Sequence, residues 1–472
     1  MAAVPPERLS SPDQPLSSRS PQQPTRVLAS FSETGPEEVV AAVAAAREAG
    51  RGWAALPAPE RAAALGRAAA ALEEASGELV ELGIAEVGKP RAEMAGEVQR
   101  GVAILRYYAG AALDPEGDVL PSPDGRSLLF SRHLPYGVAG LITPWNFPVA
   151  IPLWKLAPAI AYGNAAVWKP APAATAVAGR LDEVLQGCLP PGVVHLLRGD
   201  STTGEALVGA ADVISFTGSS AVGATIVARG AERQIPVQAE MGGQNPSVVL
   251  PDADLGQAAA LVAASAMGYA GQKCTATSRV IVVGDAGGFL DALVEAVRAL
   301  RVGDPDDAAT AVGPVISASA RERALDAVSA ARRAGGRLLT GGGALPGDGY
   351  FMEPTLVGDL EPGSYLCQEE VFAPVAAVLA ARDLDQAVEI ANGVRFGLVS
   401  SVYTSDLDQA MRAVGRLGTG LVRVNAPTSG VDFYAPFGGA GASGYGMKEQ
   451  GKAAVHFYTR SQTVTIAPSR SL

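Results

Sequence analysis

Two doubly wound α/β domains with a small β-rich appendage are the fold this sequence predicts, on three observations. From Val138 to about Ser220 β-type runs alternate with helical ones, and a second alternating stretch runs from Pro246 to about Val424. Two short β-type runs flank Pro123-Asp124-Gly125, and a third lies at Thr463 to Ile466. Parallel strands need a crossover, usually a helix, so strict alternation points to a parallel sheet covered on both faces.

Bulk properties agree. With 472 residues, 48% hydrophobic and 18% charged, the chain has apolar surface for two or three domain cores. The formal charge of −11, with no basic stripe, argues against a nucleic-acid partner. Cys188, Cys274 and Cys367 are odd in number and widely spaced, as free thiols of a cytoplasmic protein would be. His133, His195 and His456 have no metal-ligand spacing, so no metal is expected. No stretch offers an uninterrupted apolar run long enough to span a membrane, so no membrane partner is expected either.

Taken in order, residues 1–24 hold Pro5, Pro6, Pro12, Pro15, Pro21 and Pro24 among serines, and read as a flexible arm without the apolar core of a secretory signal. Pro36 to Gly110 is helical, with Glu37-Glu38 in a first turn and Val39, Val43 and Ala46 at helical spacing. Asp118 to His133 reads as a hairpin; such a ribbon is marginal alone, and the Thr463–Ile466 run could supply its third strand, within the chain or across a subunit boundary. Strands then follow at Val138–Ile142, Ala165–Trp168, Val193–Leu197 and Val213–Phe216, with helices from Pro152, Ala173, Thr202 and Ser220. Four such units make a nucleotide-binding domain. In the second stretch Ser278–Val283, Val399–Thr404 and Leu421–Asn425 read as strands.

Three features carry chemistry. Phe216-Thr217-Gly218-Ser219-Ser220-Ala221-Val222-Gly223 follows a strand and opens a helix, where backbone N–H groups and the helix dipole can hold a pyrophosphate. In a chain with 55 glycines that spacing alone also arises by chance. Cys274, in Gly271-Gln272-Lys273-Cys274-Thr275, stands in a polar turn unlike a core position and reads as a nucleophile, whereas Cys188 and Cys367 read as packing residues. Glu240 ends the run Val237-Gln238-Ala239 just before two glycines, and reads as a base at a strand end rather than a solvated charge.

Together with Pro144-Trp145-Asn146-Phe147-Pro148, Lys169-Pro170, Gln368-Glu369-Glu370-Val371-Phe372 and Pro436-Phe437-Gly438-Gly439, these segments resemble the aldehyde dehydrogenase superfamily from about Val27 to Thr465. The resemblance implies an NAD(P)-binding domain at 25–117 and 136–242, a catalytic domain at 243–454, and an oligomerisation domain at 118–135 and 455–472. It implies NAD or NADP as cofactor, an aldehyde as substrate, and a homodimer or homotetramer.

It also implies roles. Cys274 attacks the aldehyde, Asn146 holds the oxyanion, Glu240 activates water, and Lys155 and Glu449 relay the proton. Cofactor contacts fall to Thr143, Pro144, Trp145, Lys169, Pro172, Phe216, Thr217, Gly218, Ser219, Val222, Gly223, Met241, Gly242, Glu370 and Phe372. Substrate contacts fall to Phe147, Lys273, Thr275, Phe433 and Phe437, with Tyr434 beside them. Pro172 stands where many NAD-preferring members carry a glutamate, so charge does not exclude NADP. Ala373 replaces a usual glycine. Arg279 reads as structural rather than as a carboxylate anchor. Pro427–Asp432 and Gly271–Ala276 resemble the branch that oxidises α-ketoglutaric semialdehyde. A CoA-acylating enzyme is the alternative that Glu240 opposes, and a non-catalytic member of the fold the one that Cys274, Asn146 and Glu240 together oppose.

Overall fold

In the computed structural model, which describes residues 15–114, 117–284 and 288–469, the chain opens with an antiparallel pair, β1 (Leu16–Arg19) and β2 (Val27–Phe31). The flexible arm expected over residues 1–24 is thus corrected from Leu16 onward, while residues 1–14 lie outside the described residues. Pro21 and Pro24 stand between the two strands, where a missing N–H removes no ladder bond. Ser18 Oγ donates to the buried carboxylate of Glu86 and ties the pair to the body of the protein.

Four helices follow: α1 (Pro36–Ala55), α2 (Ala58–Glu74), α3 (Ser76–Val87) and α4 (Arg91–Ala111). Val39, Val43, Ala46 and Trp53 form the buried stripe of α1, as their spacing predicts. The ribbon is β3 (Val119–Leu120) and β4 (Leu128–Pro135). Its third strand is the tail of the same chain: β20 (Thr459–Ile466) runs antiparallel to β4, from Thr459 opposite Pro135 to Ile466 opposite Leu128.

The first alternating stretch forms a sheet whose parallel strands are β5 (Val138–Thr143), β6 (Ala165–Pro170), β7 (Val194–Leu196), β8 (Val213–Thr217) and β9 (Val237–Glu240). Between them run α5 (Ala150–Ala161), α6 (Thr175–Gln186), α7 (Ser201–Ala210) and α8 (Ser220–Arg233). In order the strands are β9-β8-β5-β6-β7, so the chain reverses direction between β5 and β8, and a crevice opens outside their carboxyl ends. One sheet face packs Trp53, Leu65, Leu72, Leu105 and Trp168, and the other Val43, Val167, Leu207 and Ile214.

The second sheet contains β10 (Asn245–Val249), β11 (Thr277–Val283), β12 (Arg337–Thr340), β13 (Thr355–Gly358), β14 (Val375–Ala381), β16 (Val399–Tyr403) and β17 (Leu421–Val424), in the order β12-β13-β14-β11-β10-β16-β17. A two-residue pair, β15 (Phe396–Gly397) with β18 (Ala440–Gly441), and β19 (Gly444–Tyr445), which joins the first sheet beside β9, complete the strands among the described residues. Residues 241–244 link β9 directly to β10. The carboxyl ends of the first sheet therefore face the amino ends of the second, and the candidate residues collect along that seam.

Candidate active site

The Cys274 loop is held in an unusual backbone. After α9 (Leu255–Met267), Tyr269, Ala270 and Gly271 adopt φ of 52°, 53° and 66° in succession. For the two non-glycine residues this left-handed conformation costs on the order of 1 kcal/mol or more each. Complete burial of both, and a hydrogen bond from Tyr269 Oη to Val87 O at 3.1 Å, hold it. At Gly271 a Cβ would strike the carbonyl of Ala373, so the turn admits no side chain there. Asn245 Nδ2 donates to Cys274 O at 2.7 Å and to Ala276 O at 2.8 Å, anchoring the loop to the start of β10.

Although part of Cys274 remains exposed, the surrounding protein desolvates its sulfur. That burial, with the carboxylates of Glu370, Glu240 and Glu449 nearby, pushes the thiol up to about 12. Asn146 is buried; its Nδ2 donates to Gln272 O at 2.9 Å, leaving one N–H of that amide for another acceptor. Its Oδ1 has no partner.

Glu240 ends β9 opposite Thr217 of β8 and Gly444 of β19. It is buried, and its Oε2 accepts from Gly439 N at 3.1 Å. Burial first, and then the neighbouring Glu449, raise its carboxyl well above the usual range. At Gly438, with φ 152°, a Cβ would meet Glu240 Oε1 and lie 2.7 Å from Lys448 Cδ. Glu449 pairs with Lys155, whose ammonium also donates to Ser215 Oγ at 2.7 Å. Glu449 Oε2 is buried without a partner, and Glu449, Lys155 and Ser215 form a buried hydrogen-bonded cluster whose charge Glu240 feels.

On the other side of the seam the residues fit a dinucleotide. The amino end of α8 points out of the switch-point crevice, with Ser219 capping Val222 N at 3.5 Å. Val222 lies on the exposed first turn, and the buried Thr217 Oγ1 has no partner. The glycines mark close approach: a Cβ at Gly218 would lie 2.5 Å from Phe216 Cζ, at Gly223 2.9 Å from Met241 Cγ, and at Gly242 inside the Glu370 carboxylate. Glu370 Oε1 accepts from Gly243 N at 3.1 Å, and burial pushes its carboxyl up to about 7. The Trp145 and Phe372 rings meet edge to face at 5.8 Å, next to Pro144 and Thr143 at the end of β5.

Lys169 occupies the end of β6, its ammonium donating to Pro170 O and Gly199 O, each at 3.2 Å. Burial lowers it to about 8 against the pull of Asp200 and Glu33. Pro172 opens a short 3₁₀ turn, Pro172–Ala174, that leads into α6.

Among the expected substrate residues, Thr275 and Phe437 are buried, and Phe437 packs against Trp154 with ring centroids 5.8 Å apart. Phe433 and Tyr434 border a groove of about 730 Å³ along α4, with Phe433 5.9 Å from the Tyr107 ring. The Lys273 ammonium pairs with Glu93 Oε2 of α4 at 2.7 Å. Arg279 spends its guanidinium on the carbonyls of Gln244, Ile390 and Ala391, at 2.6, 2.7 and 2.9 Å, a structural use. Ala373 is buried, its carbonyl against Gly271.

The sequence reading missed Lys89, Glu93 and Glu97, which reach the site from α4 and the turn before it, and the buried, unpartnered Trp154 Nε1. The signal available for the carboxylates was their spacing of four in an alanine-rich helix, which also describes a solvated face.

Residues 9–464 match the model of the family described as "Aldehyde dehydrogenase family". The chain is 39% identical over 445 residues to α-ketoglutaric semialdehyde dehydrogenase of Bacillus subtilis, covering 92% of this chain and 90% of that one. It is 39% identical over 420 residues to 2,5-dioxopentanoate dehydrogenase of Saccharolobus solfataricus, covering 87% and 88%. The crystal structure of betaine aldehyde dehydrogenase from Staphylococcus aureus in complex with NAD+ superposes with a TM-score of 0.93 at 29% identity, over 98% of this chain and 95% of that one.

Proposed function

Because this chain belongs to the aldehyde dehydrogenase family, we propose that its NAD(P)-dependent oxidation of an aldehyde runs through Cys274, Asn146 and Glu240, and that the aldehyde is 2,5-dioxopentanoate, α-ketoglutaric semialdehyde. The observation that carries the reading is the seam itself. A strained loop presents a thiol, a buried amide keeps one N–H free, and a carboxyl raised by burial ends a strand beside them.

The thiolate of Cys274 adds to the aldehyde carbon, and the oxygen that gains charge is held by the free N–H of Asn146 Nδ2. The α8 amino end, Lys169 and Glu370 would hold NAD(P), which would take up the hydride that leaves the aldehyde carbon as the thioester on Cys274 forms. Glu240 then accepts a proton from the water that cleaves the thioester on Cys274, a task that suits a carboxyl whose affinity for protons is raised. From Glu240 the proton leaves along Glu449 and Lys155.

The exposed apolar residues Val119, Leu120, Leu128 and Ile466 of the ribbon support its reading as an oligomerisation surface of a homodimer or homotetramer. The three free cysteines support a cytoplasmic address. Among the described residues no helix is long and apolar enough to cross a membrane.

The test is a steady-state panel of aldehydes with NAD and with NADP. 2,5-Dioxopentanoate is expected to exceed pentanal in kcat/KM by about tenfold or more, because a site that hydrogen-bonds a polar tail rejects an analogue without it. Equal values would sink the substrate assignment and leave the reaction class standing.

A further inference from the structure

We propose that Glu93 and Glu97, one turn apart on α4, are positioning residues that hold the Cys274 loop and the Asn146 turn in register, with Lys273 and Lys89 as their counter-ions. This rests on the roles given above to Cys274 and Asn146.

Glu97 grips the Asn146 side. Its Oε1 accepts from Val149 N at 2.8 Å and Ala150 N at 3.0 Å, the first free donors of α5, just past Asn146-Phe147-Pro148. Val149 stands at the cap position of that helix and has no polar side chain, so the carboxylate of another helix does the capping and meets the positive end of the dipole. Its other oxygen pairs with Lys89, an ammonium wholly removed from solvent.

Lys89 reaches both loops at once. Its Nζ lies 3.6 Å from the centroid of the Phe147 ring and 4.5 Å from that of Tyr269. Phe147 adjoins Asn146, and Tyr269 is the first of the left-handed residues that aim Cys274 into the cleft. The cation therefore sits between one aromatic ring from each half of the site.

Glu93 grips the Cys274 side. Residues four apart on a helix share a face, so its carboxylate emerges beside that of Glu97 and pairs with Lys273 Nζ, on the residue preceding Cys274. Between the two loops themselves, the Asn146–Gln272 hydrogen bond completes the link.

Two glutamates and two lysines in such a position are a poor choice for stability alone, since a buried ion pair is often matched or bettered by apolar residues of the same volume. Their ends meet the backbone and rings that flank Asn146 and Cys274, on opposite sides of the seam. An oxyanion amide and a nucleophile carried by different sheets need such a common reference, because a displacement of about 1 Å at a reacting centre can cost about a hundredfold in rate.

The experiment measures the pre-steady-state burst of reduced cofactor in Glu93→Gln, Lys273→Met and their double variant, and in the neutral pair Lys89→Met/Glu97→Gln, with melting temperature and cofactor KM alongside. Each is expected to slow the burst about tenfold or more while cofactor KM stays within about twofold, and Glu93→Gln/Lys273→Met is expected to be no slower than either single change. If Lys89→Met/Glu97→Gln does not fold, the half-exposed Glu93 with Lys273 decides alone. Bursts at the wild-type rate overturn the proposal. So does a slowed burst accompanied by an equal rise in cofactor KM, which marks general loosening. Cys274→Ala and Asn146→Ala run in parallel: persistence of the burst in these would instead overturn the underlying site assignment.

Discussion

Glu370→Gln should make Cys274 more reactive in the absence of cofactor. Desolvation and the carboxylates of Glu370, Glu240 and Glu449 raise the thiol from an ordinary 9.0 to about 12, with Glu370 the leading charge. At pH 8 that leaves roughly one thiolate in ten thousand, against roughly one in ten for an unperturbed thiol, a difference of about a thousandfold. Removing the Glu370 charge while keeping an acceptor for Gly243 N is expected to lower the thiol's proton affinity, with burial still holding most of it up, and so to raise the thiolate fraction and the alkylation rate severalfold.

The assay is alkylation of the cofactor-free enzyme by iodoacetamide at pH 8, followed by mass spectrometry of the Cys274 peptide, so that the partly exposed Cys188 does not confuse the rate. Equal rates in Glu370→Gln and wild type, or a wild-type Cys274 as reactive as free cysteine, would refute the carboxylate-field argument. A second readout follows from the same group. Because burial raises Glu370 from 4.5 to about 7, the folded protein binds that proton more tightly than the unfolded chain does. Its contribution to stability is therefore present below pH 4.5 and lost as pH rises through about 7. Glu370→Gln should melt higher than wild type at pH 8 and lose that advantage at pH 5.

Three further outcomes are expected. Glu240→Gln should retain a burst of reduced cofactor about equal to the enzyme and then turn over slowly, whereas in wild type the thioester-hydrolysis rate should rise with pH as the raised Glu240 carboxyl ionises; a lost burst would place Glu240 before the thioester. Deleting the chain from Gln462 removes the β20 pairs from Arg132 through Leu128 and the Arg132–Gln462 hydrogen bond, so sedimentation should show dissociated subunits, and an unchanged oligomer would refute the reading of the ribbon. Pro172→Glu should raise the KM for NADP while leaving NAD nearly unaffected; a wild type inactive with millimolar NADP would instead implicate the shape of the loop or the carboxylates of Asp200 and Glu33 near Lys169.

Much of this protein can be read without coordinates because its signals are local. The strands β5, β6 and β8 are buried along their whole length and mostly apolar, and each is followed within a few residues by a helix, as strands of a parallel sheet covered on both faces are. Gly218, Gly223, Gly242 and Gly271 stand where a Cβ would collide with a ring, a sulfur-bearing side chain, a carboxylate or a carbonyl, so their presence in the sequence already marks close approach. The residue types at 146, 240 and 274 state a chemistry that few other combinations perform.

What the sequence by itself determined, then, is the family and most of the order of elements, together with a set of candidate reactive groups. Tertiary structure alone brought further charges to the site. Glu93 and Glu97 lie in an alanine-rich helix whose pattern describes a solvated face as well as a buried one, and only the packing of α4 against α5 turns them inward toward Lys273 and the start of α5. Lys273, expected beside the substrate, finds its counter-ion in Glu93 for the same reason. The tail becomes the partner of β4, and Leu16–Arg19 a strand, because each finds an open edge contributed by residues distant in the chain. Pairing partners and buried counter-ions are properties of two segments at once, and no single stretch of sequence contains both.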